Sequence, residues 1–148
     1  MNADDTKRRL LFHAFLLFLL GLLTGIAVPQ FKNTKLGLAA HLEGLMNGMY
    51  LALLAFAWKE LRASPRTQRL IFGLSLFGTY LNWFATGLAG VFGTSPLTPI
   101  SGAGYSAEPW QAVLISVMLV SLSLTMITAL VLVVLSLRGP SVERSAQA

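Results

Sequence analysis

The chain has no cysteine and few charged side chains, and each shortage narrows what it can be. Without thiols there are no disulfides, no iron–sulfur clusters, no thiolate nucleophile and no thiolate-ligated haem. Charged residues make up only 11% of the sequence, where a soluble domain carries about 25%. Apolar residues make up 55% of the 148, more surface than one compact unit of this length can hide in its own core. Lipid has to cover the excess. A continuous basic stripe is also missing. The net charge of +5 comes from short Lys/Arg clusters between apolar runs, so no nucleic-acid partner is expected.

What is present reads as an all-α integral membrane protein, a single four-helix transmembrane domain over residues 1–148. About twenty apolar residues span a ~30 Å hydrocarbon core, and four runs qualify, at about 10–28, 36–58, 70–92 and 110–137. The first follows Lys7-Arg8-Arg9 like a signal peptide. It is too long for an h-region, lacks a small-x-small cleavage site and precedes further spans, so it is read as retained. The stretch Gly93 to Pro109 is rich in Gly, Ser and Pro and reads as a loop. Residues 141–148 read as a disordered tail.

Basic residues decide the orientation. The N-terminus carries three, the first loop two, the second loop four, the third none and the tail two. Alternate segments thus hold nine against two, which predicts both termini in the cytoplasm, a multi-pass protein of the bacterial inner membrane. Trp58 and Trp110 fall at span ends, where interfacial indoles are expected.

Polar side chains at hydrocarbon depth are costly unless paired or useful. Span two has the densest set: His41, Glu43, Asn47 and, between them, Gly44 and Gly48. At 100° per residue Glu43 and Asn47 share a face, whereas His41 lies about 160° from Glu43, on the side of the two glycines. Those glycines form a small-xxx-small pair that admits a flat partner, either another helix or a planar cofactor. Span three carries Ser75, Thr79, Asn82 and Thr86 in one stripe, and span four carries Ser121, Thr125 and Thr128. Ser and Thr can bond back to the preceding turn, so packing accounts for them. Asn82 is dearer and should face a cavity or a polar helix.

The two histidines, His13 and His41, cannot clamp one iron within a subunit. They sit near opposite boundaries, roughly 20 Å apart along the membrane normal, while axial ligands lie about 4 Å apart. A single histidine would leave the sixth iron position open, favouring chemistry over electron transfer.

Taken together, Phe12-His13-Ala14, the HLEGLMNGM stretch of residues 41–49, and Trp83 with Thr86-Gly87 resemble a family of small membrane isomerases. That family includes hydroxylaminobenzene mutase and styrene oxide isomerase, and the likeness is closer to the mutase branch. The resemblance implies a homotrimer with a haem b between neighbouring subunits, His41 as the axial iron ligand and Asn47 beside a small aromatic substrate; Gly44 and Gly48, on the His41 side, are then the candidates to lie against the cofactor. The epoxide isomerases place an aspartate and a tyrosine where this chain has Leu81 and Ala89, which argues against an epoxide-to-carbonyl reaction. The implied reaction turns an aryl hydroxylamine into an ortho-aminophenol, with the haem as Lewis acid, Glu43 as base for the ring proton, and Asn47 and Asn82 in the site. The main rival is a transporter of the small multidrug type, but such proteins need a glutamate in the first span, and here that span holds no acid. A structural or quinone-associated subunit would leave His41, Glu43 and Asn47 unexplained.

Overall fold

A computed structural model describes residues 3–94 and 96–138. Among them are four long helices: α1 (Ala3–Ala27), α2 (Thr34–Ala57), α3 (Pro65–Phe92) and α4 (Pro109–Leu137). The expected tail at 141–148 lies outside the described residues. α1 and α4 are long and apolar enough to cross a membrane. α2 and α3 carry the polar side chains singled out above, and these dilute their hydropathy.

Local signals account for the helix starts. Asn33 caps α2, its Oδ1 accepting from the amides of Lys35 and Leu36. Ser64 caps α3 ahead of Pro65, where a missing N–H costs nothing. Glu108 and Gln111 form a reciprocal capping box at α4. α3 stops at Gly93, whose φ of 112° is a backbone state that side-chain-bearing residues rarely adopt.

The helices pack in chain order, each antiparallel to the next, and glycines set their spacing. A Cβ on Gly44 would stand 2.5 Å from the Gly21 Cα, and one on Gly48 would stand 2.8 Å from the Ala14 carbonyl oxygen. α1 and α2 are therefore in backbone contact, the close approach that small residues permit in lipid. Gly78 of α3 faces Met126 of α4, and Phe31 fills the corner between Gly37 and Gly90.

One core cluster gathers Leu10, Leu17, Leu51, Leu54, Trp58 and Ile71 at the end where the basic residues lie. Trp58 is a correction. The expected interfacial indole is buried, 2% exposed, edge-on to Phe72. The short turn Trp58–Glu60 folds the ring back under α3 instead of out to headgroups. Trp110 is exposed beside Phe92, as expected of a belt residue. Between the two ends the helix surface is mostly apolar. Phe12, Phe15, Leu22 and Ile26 of α1 are open, and α4 buries little beyond Ile115, Ala129 and Ser136. Among described residues no buried side-chain polar atom lacks a partner. Thr79, Thr125 and Thr128 bond back to carbonyls one turn earlier, each at 2.7 Å, which is the packing role expected of them.

Candidate functional site

The polar residues of α2 separate onto two sides of the helix. On one side is Glu43, half-buried, whose Oε2 accepts hydrogen bonds from Asn82 Nδ2 of α3 and from Asn47 Nδ2, the latter at 3.3 Å. Both amides spend a donor on the same carboxylate oxygen. Oε1 has no hydrogen-bond partner among the described residues.

Glu43 and Asn82 open into a cleft of about 510 Å³ between α2, α3 and α4. Thr86, Leu36 and Ala39 line its walls, Leu119 and Ser123 its α4 side, and Leu97, Thr98 and Ser101 of the α3–α4 connection its roof. Asn82 faces a cavity, as its cost in a membrane helix demands. Asn47 is 7% exposed, covered by its neighbours with its amide turned to Glu43.

His41 is on the other side of α2. Its Nδ1 lies 2.7 Å from the Gly21 carbonyl oxygen of α1. A carbonyl only accepts, so Nδ1 carries the proton and donates. In the neutral ring Nε2 then holds its lone pair free, and no partner meets it among the described residues. This is how protein-bound metals have their histidines prepared, with one nitrogen fixed by a backbone acceptor and the other offered.

Gly25 makes room for the ring, since a Cβ there would come 2.7 Å from Nδ1. The surrounding surface is apolar. Leu38 and Leu45 sit one turn either side of His41, and Leu22 and Ile26, next to the two glycines, are 51% and 79% exposed. Among the described residues no group of three or more His, Cys, Asp or Glu is placed to hold a bare metal ion. An iron at His41 would need its remaining ligands from a macrocycle, and the open, apolar flank fits one. The residues present therefore suit the implied haem.

Gly44 and Gly48 have a different neighbour from the one the cofactor reading gave them. α1 fills their groove, leaving no gap for a planar group between them and Gly21 or Ala14. Of the two flat partners weighed for this pair, the helix takes the place. His13 also belongs elsewhere. It meets Tyr80 Oη at 3.0 Å, in a separate, largely aromatic groove of about 530 Å³ with Phe77, Trp83 and Phe84. Trp83 itself donates from Nε1 to Thr24 Oγ1. Ala89, where the epoxide branch has its tyrosine, is fully buried with Leu36 and Ile115.

Comparison with known proteins gives this geometry a context. Residues 6–138 match the family model of styrene oxide isomerase. The chain belongs to that family. It is 41% identical over 142 residues to hydroxylaminobenzene mutase HabB of Ectopseudomonas oleovorans, covering 95% of this chain and 87% of that protein. It is 34% identical over 122 residues to hydroxylaminobenzene mutase HabA of the same organism, covering 82% and 90%. No solved structure gives a significant match. The chain is thus an enzyme of the isomerase class, as the resemblance implied.

One buried residue, bonded to the roof of the cleft, escaped the sequence reading. Asn33 is fully buried, and its Nδ2 donates to the carbonyls of Gly93 at 2.7 Å and Ser101 at 2.8 Å. The local signal, an asparagine just before a helix, marks only the cap.

Proposed function

We propose that the protein is a membrane mutase that converts an aryl hydroxylamine to an ortho-aminophenol, with substrate in the Glu43–Asn82 cleft. Four spans, both termini in the cytoplasm and a bacterial inner-membrane location complete the reading, supported by the nine-to-two distribution of basic residues. The single observation that carries it is Glu43. A carboxylate at hydrocarbon depth is held by two amides through one oxygen, and its second oxygen is left for a substrate proton. The likeness to the two hydroxylaminobenzene mutases supplies the substrate class.

His41 would hold a haem b through Nε2. When bound, the haem would supply Lewis-acid pull on the hydroxylamine oxygen. Everything else falls to the chain. The reaction breaks N–O, forms C–O at the ortho carbon and moves one ring proton to nitrogen, so its formula is unchanged and no oxidant or reductant enters. Glu43 Oε1 takes the ring proton and returns it. Asn82 and Asn47 aim the carboxylate, so Asn47 acts through Glu43 and not directly on the substrate. The apolar walls of the cleft hold the aryl ring and exclude water, so that positioning supplies much of the rate.

His41 and Glu43 leave α2 on opposite sides, so one subunit cannot bring both to one substrate. A cyclic homotrimer resolves this, the His41 flank of one copy facing the Glu43 cleft of the next, with the cofactor between them. Two measurements test the reading. Detergent-purified wild type should show a Soret band that His41→Ala loses. Glu43→Gln should keep the band and lose most turnover of phenylhydroxylamine. A colourless wild type would remove the haem, and unchanged turnover in Glu43→Gln would remove the base.

A further inference from the structure

We infer that Asn33 is a positioning residue for the substrate cleft, a clasp that holds the cleft's roof in place from the α1–α2 turn. The inference rests on the proposed function of the Glu43 cleft.

Asn33 is unusual for a turn residue. It is 0% exposed, and every polar group it has is engaged. Its amide donates to the Gly90 carbonyl at 3.0 Å and its carbonyl accepts from Gly37 at 3.0 Å. Its Oδ1 caps α2, and the two Nδ2 bonds reach 60 and 68 residues along the chain, to Gly93 and Ser101. One bond therefore fixes the last carbonyl of the α3 stop and the other fixes the connection that follows.

Ser101 is itself a roof residue of the cleft, with Leu97 and Thr98. The next residue, Gly102, donates from its amide to the Thr98 carbonyl at 2.8 Å, which closes the segment 98–102 into a tight turn. A pull on Ser101 therefore moves the roof as a body. Lys32 adds a second, exposed tie, from Nζ to the Ser106 carbonyl at 2.7 Å. Asn33 does not line the cleft. It acts by setting how far the roof stands above Glu43 and Asn82, and so how tightly an aryl ring is held before reaction.

Asn33→Asp separates this role from capping. Aspartate caps a helix as well as asparagine does, so α2 keeps its start. It has no N–H to give, and its second oxygen faces two carbonyls. The roof is released while the walls and Glu43 stay. The expected result in membranes is a KM for phenylhydroxylamine raised by about tenfold or more, with kcat within about twofold and haem content unchanged. Leu97→Ala, which thins the roof directly, should raise KM in the same direction, and combining it with Asn33→Asp should add less than the product of the two. It also keeps the test open if Asn33→Asp fails to accumulate.

Unchanged KM in Asn33→Asp, while Glu43→Gln abolishes turnover, overturns the clasp and leaves the proposed function standing. A fall in kcat and haem content with KM fixed overturns it too, since that is the mark of a general structural role. If Glu43→Gln is also without effect, the proposed cleft chemistry has failed, and the clasp with it.

Discussion

Because His41 and Glu43 face away from each other across α2, two inactive variants should rescue one another. His41→Ala destroys the ligand but leaves its own cleft intact. Glu43→Gln disables the cleft but keeps its ligand. In a cyclic trimer each site would take the His41 flank from one copy and the cleft from the next. With equal amounts and random assembly, a site is complete when its flank comes from Glu43→Gln and its cleft from His41→Ala. Each condition is met half the time, so about one quarter of the sites are whole. Co-expression of differently tagged chains, tandem purification of the hybrids and a phenylhydroxylamine turnover assay would read this out. Tandem purification excludes the two parental trimers and raises the fraction to about one third. If each subunit built its own site, hybrids would be as dead as their parents. Purified hybrids with no activity above the single variants would refute the arrangement.

Other outcomes follow from particular contacts. Gly44→Ala drives a methyl into the Gly21 backbone, which cannot move aside as a side chain can; the expected loss is roughly 1–3 kcal/mol, seen as earlier thermal unfolding in detergent together with weaker haem retention. Gly73→Ala meets nothing within 4 Å and serves as its control, with stability unchanged or raised by about 0.5–1 kcal/mol. His13→Ala removes the Tyr80 bond in a separate groove, so haem content and turnover should stay within about twofold of wild type; loss of the Soret band would make His13 a ligand. Asn82→Ala strips Glu43 of its interhelical donor and should lower kcat by tenfold or more while Soret absorbance holds, because the carboxylate loses its aim and pays for a vacant amide.

The four helices were legible because runs of lipid-length apolar residues with charged and Pro/Gly ends admit few other readings. The split of α2 into a His41 side and a Glu43 side was legible too, since helical periodicity alone separates them. Which helix each side would meet was not. Gly44 and Gly48 advertise a flat neighbour without saying what kind, and only the register with Gly21 and Ala14 shows that α1 takes the place. Trp58 failed for a related reason: its position at a span end predicts headgroups, but the turn after α2 bends inward and supplies Phe72 as a partner. Asn33 shows the limit most plainly. Its cap is local, written within Asn33 to Leu36, but the two bonds proposed to hold the cleft's roof join segments whose proximity exists only after folding.

The carbonyl that accepts the hydrogen bond from His41 Nδ1 belongs to Gly21, in the middle of a helix and at the point where two backbones touch. A hydrogen bond given to such an acceptor makes the imidazole a richer electron donor. Under the proposed function, an iron bound to it would be biased toward its higher oxidation state, the one better suited to act as a Lewis acid. The packing distance between α1 and α2 would then set the electronic character of the metal as well as the stability of the bundle.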